Sequence, residues 1–215
     1  MTMQPDDTLR PRKERKENAD KRRRQVLDAT CRSIVTNGLV KTTLATVAKE
    51  AGLSQGVAVF YFKSKSGLLT EALRDLYQSY EAHWSAAVDA APEDPVSRLV
   101  ALIRADFDPK ICNQQTLSIW YAFWGEQAFV PQYSEITREY DENRGGAIRQ
   151  ACMDLLPDDP VRAANVADWI DTLTDGYWQN LHLFPANTDN EKSLAASLEC
   201  LKALLPEYAQ EIATV

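Results

Sequence analysis

Histidines, paired cysteines and catalytic motifs are scarce or missing in this 215-residue sequence. It has two histidines and four cysteines, which stand at positions 31, 112, 152 and 200 without a C-x-x-C pair. Neither a zinc site nor a disulfide framework is therefore predicted. No G-x-S-x-G, glycine-rich phosphate loop or H-E-x-x-H occurs, so we expect no enzyme, no metal and no cofactor. Asp171 and Asp175 as an acid/base pair are the one enzymatic alternative.

Long hydrophobic runs are missing as well. No stretch approaches the roughly 18 apolar residues that a membrane helix needs, and the charged N-terminus lacks the apolar segment of a signal peptide. With 45% hydrophobic and 26% charged residues, the composition is ordinary for a globular protein. We expect a cytoplasmic protein without membrane contact.

The net charge of −7 conceals an uneven distribution. Residues 1–65 contain 14 basic and 7 acidic side chains, which leaves 10 basic and 24 acidic ones for the rest of the chain. The two parts thus carry +7 and −14. A basic end on an acidic body is typical of a protein that binds nucleic-acid phosphates, the alternative being a charged tail that only aids solubility.

The apolar spacing is helical in every long segment after residue 18, and no segment alternates as a strand would. The sequence therefore predicts an all-α fold of about nine helices, separated by glycine and proline breaks. Residues 1–18 are polar, basic and punctuated by proline, so we predict a disordered arm there. Residues 19–66 should form a small three-helix unit and residues 67–215 a larger helical body.

A helix-turn-helix is predicted at about residues 43–62. Thr43 can cap a short helix with one apolar face, Gly52 can take the left-handed conformation that ends it, and Ser54 can cap the next helix. Small alanines on the first helix let the two helices approach closely. A second helix supported in this way can protrude into the major groove of DNA.

The second helix offers a small set of side chains to DNA. Its N-terminus carries partial positive charge, and Gly56 has no side chain that would hold a phosphate away. Gln55 can pair with an adenine edge, whereas Val59 can contact only apolar groups such as a thymine methyl. The arginines of the first helix could follow a phosphate strand or simply be solvated. The predicted DNA-binding residues are Thr43, Ser54, Gln55, Gly56, Val59, Tyr61, Lys65, Arg22, Arg23 and Arg24.

Aromatic residues concentrate in two later segments. In SIWYAFWGEQ, Trp120 and Trp124 are four residues apart and share a helix face, and in DWIDTLTDGYWQN aspartates and a tryptophan fall on one helical stripe. Indole rings with carboxylates suit a cation, above all a quaternary ammonium group, which has no N–H to donate. Plain core tryptophans and a solvated acidic face are the alternative. The predicted ligand-binding residues are Trp120, Tyr121, Phe123, Trp124, Asp171, Asp175 and Trp178.

The pattern T-T-x-x-x-V-A-x-x-A-G-L-S-x-G-x-x-x-x-Y-F-x-x-K-x-x-L-L strongly resembles the N-terminal signature of TetR-type regulators. Val59 and Phe60 depart from it, because tyrosine or histidine is frequent at these two positions. The resemblance implies that residues 19–66 bind DNA and that residues 67–215 bind a small-molecule effector and form a homodimer. Such a dimer would place two recognition helices on a palindromic operator.

Two apolar-faced helices near the C-terminus, at about 161–184 and 193–205, are candidates for the dimer interface. Their apolar residues are Trp169, Ile170, Leu173, Tyr177, Leu181, Leu194, Leu198, Leu201 and Leu205.

The chain also resembles the choline-responsive BetI-type repressors. The shared features are Phe107-Asp108, the W-x-x-F-W segment that begins at Trp120, and D-G-x-W from Asp175 to Trp178. The resemblance implies repression of genes for choline uptake or glycine betaine synthesis, relieved when choline or a related quaternary ammonium compound binds. A drug, polyamine or aromatic metabolite as effector is the alternative within the family, and a helical architectural protein is the alternative outside it.

Overall fold

The computed structural model describes residues 12–214, with side chains from residue 16 onward. This part of the chain is helical and contains no strand, which confirms the predicted all-α class. The α-helices are α1 Arg12–Lys41, α2 Leu44–Glu50, α3 Gln55–Phe62, α4 Lys65–Ala90, α5 Pro95–Asp106, α6 Gln114–Glu126, α7 Pro131–Leu155, α8 Pro160–Leu183, α9 Asn190–Leu204 and α10 Ala209–Thr214. A 3-10 turn, Pro206–Tyr208, precedes α10.

The predicted glycine and proline breaks separate helices in the structure. Pro95, Pro131 and Pro160 each stand at the first position of a helix, where the missing N–H has no partner to lose. The prediction of about nine helices omitted α10, because six residues are too short to show helical periodicity.

The first helix is longer than predicted. Residues 12–18, which we assigned to a disordered arm, belong to α1. Their arginine, lysine and glutamate residues are good helix formers, and a helix that is already nucleated extends through them. The rest of that predicted arm, residues 1–11, lies outside the described residues. Gly38 interrupts α1 with a φ of 75°, as its predicted role as a stop requires.

The described residues divide into two compact units, with the division inside α4 between Asp75 and Leu76. The boundary that we predicted, between residues 66 and 67, also lies inside α4, which begins at Lys65. The helix is continuous across the division, so the sequence contains no break that would mark it.

The first unit has an apolar core formed by α1, α2, α3 and the start of α4. Phe62 and Leu68 are buried there, and Gln25 Nε2 donates to the carbonyl of Ala51 at the end of α2 (2.7 Å). In the second unit, α7 packs on α8 and on α5, and α8 also packs on α6 and α9.

Side-chain caps begin most helices of the second unit. Asp94, Asn113, Asp159 and Asp189 each accept a hydrogen bond from the backbone N–H three residues later. Such caps satisfy N–H groups that a helix cannot pair internally and fix where each helix starts. They thereby fix which residues of α5, α6 and α8 face the interior. None of the helices between residues 12 and 214 combines the length and hydropathy needed to cross a membrane.

Candidate functional site

The helix-turn-helix is held by local hydrogen bonds. Thr43 Oγ1 accepts from the backbone N–H of Thr46 (3.1 Å), and Thr46 Oγ1 accepts from that of Thr43 (2.8 Å), so the predicted cap of α2 is a reciprocal capping box. Gly52 has a φ of 66°, and the N–H of Leu53 donates to the Ala48 carbonyl (2.9 Å). These bonds form a Schellman turn, which is the predicted end of α2.

The N-terminus of α3 is open. Ser54 occupies the N-cap position with extended backbone, but its side chain makes no capping hydrogen bond, contrary to our expectation. Gln55 and Gly56 follow it on the exposed first turn. The hydroxyl of Ser54 and the first N–H groups of α3 therefore stay available to a phosphate.

The outer face of α3 is unusually apolar. Val59 is 39% exposed and Phe60 67% exposed, whereas Ala58 and Phe62 on the inner face of the same helix are buried. The ring of half-buried Tyr61 meets that of Phe60 edge-on at 5.1 Å between centroids. Lys63 Nζ lies 5.3 Å from the centre of the Phe60 ring and donates to the Phe60 carbonyl (2.8 Å). Apolar contact with bases is thus the main interaction that this face offers.

The predicted basic contacts differ in their surroundings. Arg22 is exposed, whereas Arg23 pairs with Glu71 and Arg24 with Asp75 (2.6 Å). Exposed ion pairs of this kind are worth about 0–1 kcal/mol, so phosphates can compete for both arginines. Lys65 Nζ donates to the carbonyl of Val40 (2.5 Å), and its ammonium group keeps two further protons.

A tight joint connects α3 to α4. Lys63 has a φ of 62°, which non-glycine residues rarely adopt, and the N–H of Ser64 donates to the Phe62 carbonyl (2.6 Å) to close a γ-turn. A side chain at Gly67 would overlap the same carbonyl oxygen. The geometry of this joint therefore requires glycine at position 67.

The second unit contains a pocket of about 100 Å³ between α4, α6, α7 and α8. Five aromatic side chains and four charged ones surround it. They are Tyr77, Tyr80, Trp120, Trp124, Asp141, Arg144, Asp171, Asp175 and Trp178.

The five aromatic rings form a connected cage. Trp120 contacts the other four, at centroid distances of 4.5 Å to Tyr77, 6.0 Å to Tyr80, 5.6 Å to Trp124 and 6.1 Å to Trp178. These distances lie in the range that favours aromatic pairs and fix the ring orientations. Because five aromatic rings line one cavity, the site can attract a cation through cation–π interactions.

A buried ion network supports the cage. Arg144 bonds the carboxylate of Asp106 through two nitrogens, and it also pairs with Asp171. Tyr80 donates to Asp106 (2.5 Å), and Trp178 Nε1 donates to the Asp106 carbonyl (2.9 Å). Asp106 is 1% exposed and Arg144 7% exposed, so the bonds between these two residues are shielded from water. Since the guanidinium is already engaged by two carboxylates, it is not an open site for an anion.

The pocket has a surplus of carboxyl groups, with three aspartates against one guanidinium. Asp175 is partly exposed to solvent. The protein around its carboxyl group nevertheless displaces much of the water, and the nearby Asp171 carries the same charge. These two causes raise the pKa of Asp175 to about 7. The same two causes raise the pKa of Asp141 to about 6. A cation beside these two carboxyl groups would stabilise their ionised forms.

The structure brings together five of the seven predicted ligand-binding residues. Tyr121 and Phe123 do not line the pocket, because on α6 they lie about 80° to either side of the direction midway between Trp120 and Trp124. Tyr121 stacks on His182 (4.6 Å), and buried Phe123 packs edge-on against Tyr133 (5.2 Å). The pocket is also lined by four residues that were not predicted from the sequence, Tyr77, Tyr80, Asp141 and Arg144.

Helix α8 has a second, opposite surface. Trp169, Leu173 and Tyr177 line an open apolar groove on the face turned about 180° from Asp171 and Asp175. Trp169 is 55% exposed. Four residues that we predicted for the dimer interface are instead buried within the unit. Apolar spacing could not separate the two cases, because residues that face a helix's own core and residues that face a partner subunit have the same spacing. They are Ile170, Leu181, Leu201 and Leu205.

The cysteines have the character of structural residues. Burial raises the pKa of Cys31 to about 11 and those of Cys112 and Cys152 to about 12, so these thiols stay protonated and unreactive at pH 7. Among the described residues, no three histidine, cysteine, aspartate or glutamate side chains are grouped so that they could hold a metal ion.

Comparisons with known families cover both units. Residues 26–72 match the bacterial regulatory proteins of the tetR family, and residues 95–206 match the C-terminal domain of the BetI-type transcriptional repressors. The second match covers the pocket residues from Trp120 to Trp178.

Two relatives are similar over most of their length. An HTH-type transcriptional regulator BetI from Burkholderia thailandensis is 34% identical over 196 residues, which cover 87% of this chain and 95% of that protein. One from Stenotrophomonas maltophilia is 30% identical over 172 residues, which cover 80% of this chain and 87% of that protein. Both families and both relatives are transcription regulators, which confirms the prediction of a regulator rather than an enzyme.

Solved structures share the fold. A putative transcriptional regulator from Pseudomonas aeruginosa PAO1 has a TM-score of 0.78 at 20% identity, over 90% of this chain and 94% of that one. A putative transcriptional regulator from Saccharomonospora viridis in complex with choline has a TM-score of 0.76 at 20% identity, over 85% and 96%. With these matches, the chain belongs to the tetR family of bacterial regulatory proteins and, within it, to the BetI-type transcriptional repressors.

Proposed function

We propose that this repressor binds a palindromic operator as a homodimer in the cytoplasm and is released from it by choline or a closely related quaternary ammonium cation. The observation that carries the proposal is the pocket in the BetI-type domain, where five aromatic rings and a surplus of carboxylates surround one small cavity. A quaternary ammonium group donates no hydrogen bond and is recognised by ring faces and nearby negative charge. The structure with choline of a protein of the same fold supports the proposal.

The size and charge of the pocket narrow the class of effector. A cavity of about 100 Å³ favours a cation of a few non-hydrogen atoms over a drug or a long polyamine. The carboxylate of a zwitterion such as glycine betaine would meet Asp171 and Asp175, while Arg144 is already paired. We therefore expect the cation to bind much more tightly than the zwitterion.

The release of DNA is proposed to run through α4. This helix begins at Lys65, three residues after the recognition helix α3, and further along it provides Tyr77 and Tyr80 to the pocket. An effector can shift the repressor only if it binds the DNA-free conformation better than the DNA-bound one. Displacement of the two tyrosines by the cation would supply that difference and change the spacing of the two recognition helices.

The dimer is proposed to form through the outer faces of α8 and α9. The groove around Trp169, Leu173 and Tyr177 provides exposed apolar surface for a second copy. The expected targets are genes for choline uptake and glycine betaine synthesis. A choline dehydrogenase or betaine aldehyde dehydrogenase gene beside this one would support that assignment, and an unrelated efflux pump gene would oppose it.

Isothermal titration calorimetry with choline tests the proposal directly. We expect Trp124→Ala to weaken choline binding by about tenfold or more, because a desolvated cation–π contact is worth about 2 kcal/mol. Phe129→Ala is the matched control, since Phe129 is an aromatic residue of the same unit that is 79% exposed and outside the pocket. The uncharged carbon analogue of choline should bind far more weakly than choline. Equal binding of the analogue, or no binding of choline, would rule out a cation cage.

A further inference from the structure

The exposed face of the recognition helix α3 contains a stripe without hydrogen-bonding side chains. Val59 and Phe60 follow Gly56 by three and four residues, so the three share one side of the helix, and all of them are exposed. Gly56 has no side chain, and those of Val59 and Phe60 consist of carbon and hydrogen alone. This stripe therefore cannot read the hydrogen-bonding atoms of a base through its side chains.

The ring of Phe60 is braced although it is exposed. The Tyr61 ring meets it edge-on at 5.1 Å between centroids, and Lys63 Nζ lies 5.3 Å from its centre. Phe60 nevertheless remains 67% exposed. A side chain that is already held on two sides loses little conformational entropy when a partner covers it. Phe60 is thus prepared for a contact that this unit does not provide by itself.

The groups that border the stripe indicate that DNA is the partner. Lys63 Nζ and Lys65 Nζ each donate to one backbone carbonyl, and each ammonium group keeps two further protons for a phosphate. At the other end of the stripe, the N-terminus of α3 has no side-chain cap at Ser54 and carries partial positive charge. Phosphates can be held at both ends, which leaves the apolar stripe facing the base edges between them.

We propose that Phe60, together with Val59, recognises the 5-methyl groups of thymine in the major groove. This inference rests on the proposed function and names the base feature that the same DNA-binding surface selects. The base pairs differ in the major groove by their hydrogen-bonding atoms and by one apolar group, which is the thymine methyl. Side chains that have no donor or acceptor discriminate through that methyl group. Phe60 is then a specificity-determining residue of the recognition helix.

Deoxyuridine substitution tests this contact in the unmodified repressor. An operator duplex is selected by the repressor from random-sequence DNA, and its thymines are then replaced by uracil, one position at a time and in both half-sites. The replacement removes only the methyl group. Burial of one methyl group strengthens binding by a factor of about four, so a contacted position should lose about 15-fold when both half-sites are changed.

The outcomes of this scan are distinct. A loss below about twofold at every thymine would overturn the methyl contact while leaving a sequence-specific repressor. Selection of no palindromic sequence would overturn the proposed function itself. A large loss at one or more positions identifies the bases that the stripe covers.

Methylated cytosine gives an independent readout at the position that responds most. Cytosine has an amino donor where thymine has a carbonyl acceptor, but a methyl group on its carbon 5 occupies the place of the thymine methyl. With guanine opposite, 5-methylcytosine should therefore bind more tightly than cytosine by a factor of about four in each half-site. Equal affinities for the two bases would contradict the proposal.

A pair of variants tests whether Phe60 carries the preference. Phe60→Ser should reduce the loss caused by uracil to below about twofold at one of the responding positions. Phe129→Ser is the matched control, since Phe129 is an aromatic residue of the second unit that is 79% exposed, and it should keep the full response. Both affinities of a variant come from one preparation, so an unfolded fraction does not change their ratio. A Phe60→Ser protein that weakens all sequences equally and keeps the full response to uracil would overturn the proposal.

Discussion

The affinity for a cation should depend on pH through Asp175. Its pKa is raised to about 7 in the empty pocket by desolvation and by Asp171. A bound cation favours the ionised carboxylate and lowers that pKa again. Binding must then release a proton near pH 7, and the affinity is greatest above the pKa of the empty pocket and lost as the pH falls through it.

The magnitude follows from the fraction of Asp175 that is ionised before binding. With a pKa of about 7, that fraction is about nine-tenths at pH 8 and about one-tenth at pH 6. If binding requires the ionised form, the Kd for choline rises about tenfold from pH 8 to pH 6, which corresponds to about 1.4 kcal/mol. Below pH 6, protonation of Asp141 adds a further loss, because its pKa is about 6.

Calorimetry at several pH values is the assay. Titrations at pH 7 in buffers of different ionisation enthalpy should show the release of about half a proton for each choline bound. Asp175→Asn mimics the protonated side chain and should bind choline weakly, with little dependence on pH between 6 and 8. A wild-type Kd that is the same at pH 6 and pH 8 would refute this role of Asp175.

Three further predictions concern the scaffold and the DNA-binding surface. Gly67→Ala should lower the free energy of unfolding by about 2 kcal/mol in chemical denaturation, because the new methyl group overlaps the Phe62 carbonyl oxygen; no loss would show that the joint can relax. Lys65→Ala should weaken operator binding on all sequences and reduce the slope of log affinity against log salt by about one, and an unaltered slope would argue against a phosphate contact. Arg144→Gln should cost about 3–5 kcal/mol of stability, since it leaves Asp106 charged and buried without its partner; a loss below about 1 kcal/mol would show that the pair is dispensable.

The elements that the sequence predicted well are those with local causes. The start of α2 depends on the capping Thr43 and the turn after α2 on Gly52, and each signal is contained in a few consecutive residues. Trp120 and Trp124 could be assigned to one face because a spacing of four residues fixes their relative direction on any helix. The same local logic fails for Tyr121 and Phe123, which are close in sequence but point elsewhere.

The parts of the pocket that were missed depend on contacts between helices. Tyr77 and Tyr80 occur in α4 among ordinary apolar and polar residues, and only packing shows that they face α6 and α8. A weak signal did exist for the ion network. Asp106 and Arg144 each occupy a position in an otherwise apolar helical stripe. A charged residue at such a position indicates a buried partner of opposite charge. The identity of that partner cannot be derived from spacing within one helix.

The exposed aspartates illustrate the same limit. Asp168 and Asp171 are three residues apart on the predicted acidic stripe of α8, yet Asp168 pairs with Arg149 at the surface (3.0 Å) while Asp171 lines the pocket. Helical periodicity predicts the direction of a side chain only to within about half a turn of the helix. A smaller change of direction is enough to move a side chain from the pocket to the surface.

The central claim is that a quaternary ammonium cation in the pocket releases the operator. The most direct test is the affinity of the repressor for a fluorescent operator duplex, measured by anisotropy with increasing choline, for the wild type and for Asp175→Asn. We expect saturating choline to weaken operator binding of the wild type by at least about tenfold. This effect requires choline to bind the DNA-free conformation about 1.4 kcal/mol more favourably than the DNA-bound one. The variant should need far more choline for the same release. Operator affinity that choline leaves unchanged or increases in the wild type would contradict the central claim.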